Sequence, residues 1–110
     1  MAQEFYEVNL HQNNLGKINI NLSVLELIAR INVGETKGVY IVDGSFKKGV
    51  NCFISKDGLL KLDVNVQLTY GTNAERTSRM LQEKIYKTIK QTCDIECDQI
   101  DINVIGFQFQ

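Results

Sequence analysis

Leu60–Tyr70 reads LKLDVNVQLTY, and its alternation decides the fold. Leu60, Leu62, Val64, Val66, Leu68 and Tyr70 fall on one side of a period-2 ribbon, with Lys61, Asp63, Asn65, Gln67 and Thr69 on the other. That is the pattern of a long strand with one face buried and one face in water. Burying a large aliphatic side chain is worth roughly 1.5–3 kcal/mol, an upper figure because unfolded chains are already partly collapsed. Five such side chains and Tyr70 on one strand predict the floor of the core. A slip of one residue would turn all of them into water, so the register is strongly fixed.

Upstream, Asp57-Gly58 offers a tight hairpin turn into this strand from Val50–Ser55 (VNCFIS). The loop 43–49 (DGSFKKG) leads back to another strand, Gly38–Val42 (GVYIV). Three strands joined by short turns predict an antiparallel meander with the long strand last. Before them, Gly16–Ile20 (GKINI) reads as a short strand running into a helix. Ser23 and Glu26 stand at capping-box spacing, and Leu22 and Leu27 at staple spacing, so the helix is expected to start at Ser23. Val24, Leu27, Ile28 and Ile31 are expected to form its core-facing stripe, with Gly34 as its stop. Phe5–Leu10 alternates weakly, with Tyr6, Val8 and Leu10 on one parity. Residues 1–15 are therefore set apart, as an extra strand or a packing arm, from a domain over 16–110.

Downstream, Gly71-Thr72-Asn73 ends the long strand and caps a helix over Ala74–Thr92. Ala74, Ser78, Leu81, Ile85, Ile89 and Thr92 share its inner face, and Glu75–Arg79 is among its i,i+4 opposite-charge pairs. Ile100–Phe109 (IDINVIGFQF) is the closing strand. Its alternation breaks at Ile105-Gly106, which aims Phe107 and Phe109 at the polar face unless Gly106 hosts a bulge. The order is β-α-β-β-β-α-β. Right-handed crossovers put both helices on one face of a mixed sheet, a two-layer α/β sandwich with the other face open.

At 110 residues the chain fits one domain that needs no disulfide or metal to hold a core. A formal net charge of -1 creates no global field toward nucleic acid or an anionic membrane. No run approaches the ~18 apolar residues of a membrane span, and the first residues lack a signal-peptide pattern, so a cytosolic protein is expected. Cys52, Cys93 and Cys97 show no zinc spacing and suit reduced thiols.

Candidate chemistry is sparse. Thiol catalysis needs an imidazole beside the sulfur, and His11 is the only histidine. Cys93, Asp94, Cys97 and Asp98 have metal-binding atoms, yet their spacing matches no zinc pattern. No phosphate-binding glycine loop is present. An open sheet face invites an RNA-binding reading, but the aromatics that stack bases are missing from the long strand. Arg76, Arg79, Lys84 and Lys87 share one helix and could contact an anion, though Glu75 and Glu83 dilute them. No catalytic residue, metal or cofactor is expected.

In the order of its pieces the chain resembles the alkaline shock protein family. The matching stretches are GKININ and LSVLELIARI, then KGVYIVDG, then GVNCFISKDGLLKLDVNVQLTYG, and finally AERTSRMLQEKIYKTIKQTCDIECDQIDINVIGF. They cover Gly16 to Phe107. Cys93-Asp94 departs from the pattern, standing where the family usually turns through a glycine. The resemblance implies a non-enzymatic cytosolic envelope-stress protein that self-associates and is recruited to the membrane by a separate membrane-anchored partner, without inserting itself. It also leaves open a regulator of an enzyme or metabolite of lipid metabolism; nucleic acid is the remaining alternative. The interface candidates are Tyr6, Val8, Leu10, Tyr40, Phe53, Phe107 and Phe109, for which packing within the chain competes on equal terms.

Overall fold

A computed structural model describes residues 5–9 and 17–109, with side chains from residue 20 onward. In chain order the elements are β1 (Phe5–Asn9), β2 (Lys17–Asn21), α1 (Leu22–Gly34), β3 (Val39–Ile41), β4 (Val50–Ile54), β5 (Leu60–Thr69), α2 (Ala74–Cys93) and β6 (Gln99–Gln108). β1 and β2 form an antiparallel ribbon of their own, so the extra N-terminal strand is there. The other strands make the main sheet, with β5 at its centre.

β5 behaves as its alternation demands. Leu60, Leu62, Val64, Val66 and Leu68 are buried, and the odd-numbered residues between them are half-exposed. Tyr70 is the exception: the strand ends at Thr69, and Tyr70 sits in the following turn with 65% of its surface exposed.

The expected meander does not form. β3 pairs antiparallel with Leu68–Val66 and β4 with Val64–Leu60, while β6 runs parallel along the same length of β5. A strand has two edges, so β3 and β4 share one of them and lie end to end without pairing to each other. They are one strand interrupted at Asn65, whose carbonyl accepts from Val42 N and whose amide donates to Gly49 O. The loop 43–49 is an excursion from that strand. Its neck is tight: a Cβ at Gly49 would come within 2.5 Å of Val42 O.

β6 contains the bulge that its broken rhythm suggested. Val66 aligns with Val104 and Gln67 with Gly106, so Ile105 is the extra residue. The bulge flips the parity and aligns Phe107 with Leu68 on the helix side, not on the polar face. The open face instead carries an amide ladder, Asn103 Nδ2 to Asn65 Oδ1 at 3.1 Å and Gln108 Nε2 to Gln67 Oε1 at 3.0 Å.

α1 corrects two further expectations. Its N-cap is Asn21, whose side chain accepts from Ser23 N at 2.9 Å; Ser23 is already inside the helix. Its buried residues are Leu22, Leu25, Glu26, Ala29, Asn32 and Val33; of the stripe read as core-facing, Ile28 packs partly against the core while Val24, Leu27 and Ile31 point to solvent. Glu26, freed from a capping box, reaches the outer edge of β4. Its carboxylate accepts from Cys52 N at 2.7 Å on β4 and from Lys48 Nζ at 2.9 Å. Against α2, Asn32 is 3% exposed and takes a long bond from Thr88 Oγ1 at 3.4 Å, with no partner for its Nδ2 among the described residues.

α2 follows its pattern. Asn73 caps it through a bond from Arg76 N, and Leu81, Ile85 and Ile89 are buried. At its far end Asp94 takes the left-handed cap conformation, φ 56° and ψ 36°, that glycine adopts most easily. Asp tolerates it better than most residues.

Two substitutions test this interior. Glu26→Ala removes the carboxylate acceptor of a buried amide and is expected to cost roughly 1–3 kcal/mol in urea unfolding, with Glu26→Gln losing less. Asn32→Leu replaces a poorly satisfied buried amide with an apolar side chain of similar size. It is expected to raise the unfolding midpoint, and a lower midpoint would show that the amide is better accommodated than its bonds suggest.

Candidate functional site

Of the sequence-predicted interface residues, Phe107 and Phe109 lie at one end of the sheet, 45% and 77% exposed. Phe109 stacks on Tyr70, ring centroids 4.6 Å apart and planes inclined by 26°. That contact joins the ends of β5 and β6, and its other surfaces remain in water. Tyr40 aligns with Gln67 and Phe53 with Lys61, which puts both on the open face, half-buried. The side chains of Tyr6 and Val8, and all of Leu10, lie outside the described residues.

Alternation and capping signals gave no warning of the main apolar surface. On α1 Val24, Leu27 and Ile31 are 42%, 56% and 52% exposed, with Ile28 half-buried beside them. At 100° per residue they centre opposite the stripe of Leu22, Leu25 and Ala29. A helix in water normally carries charge there. α1 is thus apolar on the face it buries and on the face it presents.

Beside this ridge stands the loop 43–49. The Asp43 carboxylate accepts from both terminal nitrogens of Arg30 on α1, at 3.0 and 2.7 Å, and from Gly49 N at 2.7 Å. Gly44 N donates to Lys47 O at 2.8 Å and closes the tip. These bonds hold Phe46 wholly in solvent. The Arg30 guanidinium, with help from the Gly49 amide, pulls the Asp43 carboxyl down to about 2.

The candidate anion-contact residues on α2 do not form a clean basic patch. Arg79 Nη2 bonds Glu75 Oε1 at 2.8 Å, and Lys84 is half-buried; Arg76 and Lys87 are exposed. A shallow depression of about 400 Å³ between Asn73, Arg76, Arg79 and Glu83 mixes both signs of charge. A second, of about 300 Å³, lies between Gln82, Tyr86, Cys97 and Ile100.

The thiols are poor nucleophiles as placed. Cys52 is a core residue, and burial pushes the Cys97 thiol up to about 11 and raises that of half-buried Cys93. Among the described residues no group of three or more His, Cys, Asp or Glu side chains gathers as a metal site. Asp98 is engaged instead in accepting Leu60 N at 2.7 Å. Nor, among those residues, is any helix long and apolar enough to cross a membrane. The surfaces on offer are suited to contact: an apolar helical ridge, an aromatic sheet end and a propped loop.

Comparison with known proteins gives the family of the chain. Residues 10–109 match the model of the alkaline shock protein 23 family, described as having a cell envelope-related function. The chain is 29% identical over 109 residues to the uncharacterized protein YqhY of Bacillus subtilis, covering 87% of this chain and 80% of that one. It is 26% identical over 102 residues to the uncharacterized protein Spy1535 of Streptococcus pyogenes serotype M6, covering 84% and 79%. No solved structure matches.

The propped loop makes acid stability testable. Asp43 lies below its ordinary value of 3.8 when folded, so its stabilising effect is complete above pH about 4 and is lost as pH falls toward about 2. The wild-type melting temperature should drop across that window. Asp43→Asn should start lower at pH 7 and drop less; an equal drop would remove the Arg30–Asp43 pair as a cause.

Proposed function

Because the chain belongs to the alkaline shock protein 23 family, whose function is cell envelope-related, we propose that it is a non-catalytic cytosolic adaptor of the envelope. It associates with itself and is brought to the membrane by a membrane-anchored protein. The observation that carries this reading is the outward ridge of α1. Val24, Leu27 and Ile31 follow the i, i+3, i+7 spacing by which one helix lays side chains into the groove of another. Nothing in the folding of α1 calls for them, since Leu22, Leu25, Ala29 and Val33 already supply its core contacts.

The partner reading fits the balance of charge and surface better than direct lipid contact does. Around the exposed Phe46, Lys48 is tied to Glu26 and Arg30 to Asp43, which leaves exposed Lys47 as the main free positive charge beside it, little for an anionic bilayer. A complementary apolar helix asks for no charge, only for the ridge to be desolvated. Covering each such aliphatic side chain completely is worth roughly 1.5–3 kcal/mol before the entropy of association is subtracted.

The test is co-purification from washed membranes extracted in mild detergent. Wild-type protein is expected to carry a membrane-anchored protein with it, and the double variant Leu27→Lys/Ile31→Lys, folded by circular dichroism and melting, is expected to lose it. Recovery of the wild type alone, or equal recovery of the partner by both, would sink the reading.

A further inference from the structure

The interrupted strand formed by β3 and β4 occupies one edge of β5, so β6 borders the sheet on the other side. The register fixes where its backbone points. Even-numbered residues of β5 turn their N–H and C=O groups toward β6, as Asp98 N to Leu60 O and Tyr70 N to Gln108 O show. With Leu62 aligned on Ile100 and Val64 on Ile102, Gln99, Asp101 and Asn103 point their backbone groups at β5. Those of Ile100, Ile102 and Val104 point outward. Gln82 marks that outer side, since its Nε2 donates from α2 to Ile100 O at 2.9 Å. Among the described residues no hydrogen bond satisfies the outward backbone of Ile102 or Val104.

Sheet edges are usually protected by lysine, proline or a bulge. From Gln99 to Val104 this edge has neither lysine nor proline, and its bulge comes only afterwards, at Ile105. Ile102 and Val104 are half-buried against the core, so α2 leaves part of each uncovered.

We propose that β6 pairs antiparallel with β6 of a second copy about a two-fold axis at Ile102, joining the two sheets into one. This deepens the self-association in the adaptor reading by naming the surface that makes it. Three features choose the axis. At Ile102 the residue exchanges both backbone bonds with its own counterpart, an isologous contact that closes on itself. Ile100 then faces Val104 of the second copy, which continues the apolar layer under the helices. Asp101 faces Asn103 of the second copy on the open side. An axis at Asp101 would set two carboxylates opposite each other, which is unfavourable. An axis at Asn103 would draw the Ile105 bulge into the ladder. The Gln82 bond does not obstruct pairing, because a carbonyl oxygen has a second lone pair for Val104 N of the other copy.

The experiment is sedimentation equilibrium of the full chain across a concentration series. Wild type is expected to dimerise. Asn103→Asp places a carboxylate opposite Asp101 twice per dimer and should weaken dimerisation on the order of tenfold. Asp101→Lys added to it should restore the dimer by making those two contacts opposite in charge, and Asp101→Lys alone should keep it. Melting curves of each variant establish that the monomer is folded. The ridge variant Leu27→Lys/Ile31→Lys should dimerise as wild type does. A wild type that stays monomeric, or a dimer indifferent to Asn103→Asp, overturns the edge. A dimer lost in the ridge variant but kept in Asn103→Asp overturns it too, and moves self-association to α1. Dimers that respond as expected while no membrane-anchored protein co-purifies would uphold the edge and defeat the adaptor reading.

Discussion

The structure hangs on the burial of one face of β5. Leu60, Leu62, Val64, Val66 and Leu68 are all but sealed from water, and both helices and the other strands of the main sheet are placed by how they cover or extend that row. Because the strand uses both edges, one for the interrupted strand β3/β4 and one for β6, a change in its register would displace two helices and three strands at once. Its odd-numbered face can then remain wet, with asparagine and glutamine side chains bonded to each other across strands.

The two helices that cover this row follow different rules. α2 is amphipathic in the ordinary way, with Leu81, Ile85 and Ile89 inward and mixed charges outward. α1 is shorter, buries Glu26 and Asn32 beside Leu22, Leu25, Ala29 and Val33, and shows a second set of aliphatics, Val24, Leu27 and Ile31, to solvent. A helix built so gives up solubility on one face. Of the polar groups it buries, Glu26 is anchored to β4, which fixes the rotation of the helix and thereby the direction of its ridge.

Three local departures from regularity do comparable positioning. The excursion 43–49 interrupts an edge strand and is propped against α1 by Asp43 and Arg30. The bulge at Ile105 returns the last aromatics to the helix side, where Phe109 meets Tyr70. Asp94 reverses the chain after α2 in a left-handed conformation and lets β6 start alongside Leu60. Each is one residue or one short loop, and each decides which surface faces water.

From sequence alone, period-2 alternation and cap chemistry determined the element order, the core face of β5, the inner face of α2 and the two-layer class, because those signals are local and repeat many times. The bulge was legible as a broken rhythm, although only pairing with Val66 and Gln67 settles where it falls. The rotation of α1 was not legible. It carries apolar residues around nearly its whole circumference, so a stripe at Val24, Leu27, Ile28 and Ile31 is as regular as the one that is buried. Only the sheet beneath and the reach of Glu26 to Cys52 N choose between them. That β3 and β4 share an edge was equally hidden, since a short polar loop reads the same whether it turns a hairpin or leaves and rejoins a single strand. Which apolar residues stay exposed is what remains after the layers have closed, and a helix of two apolar faces does not announce which one will be buried.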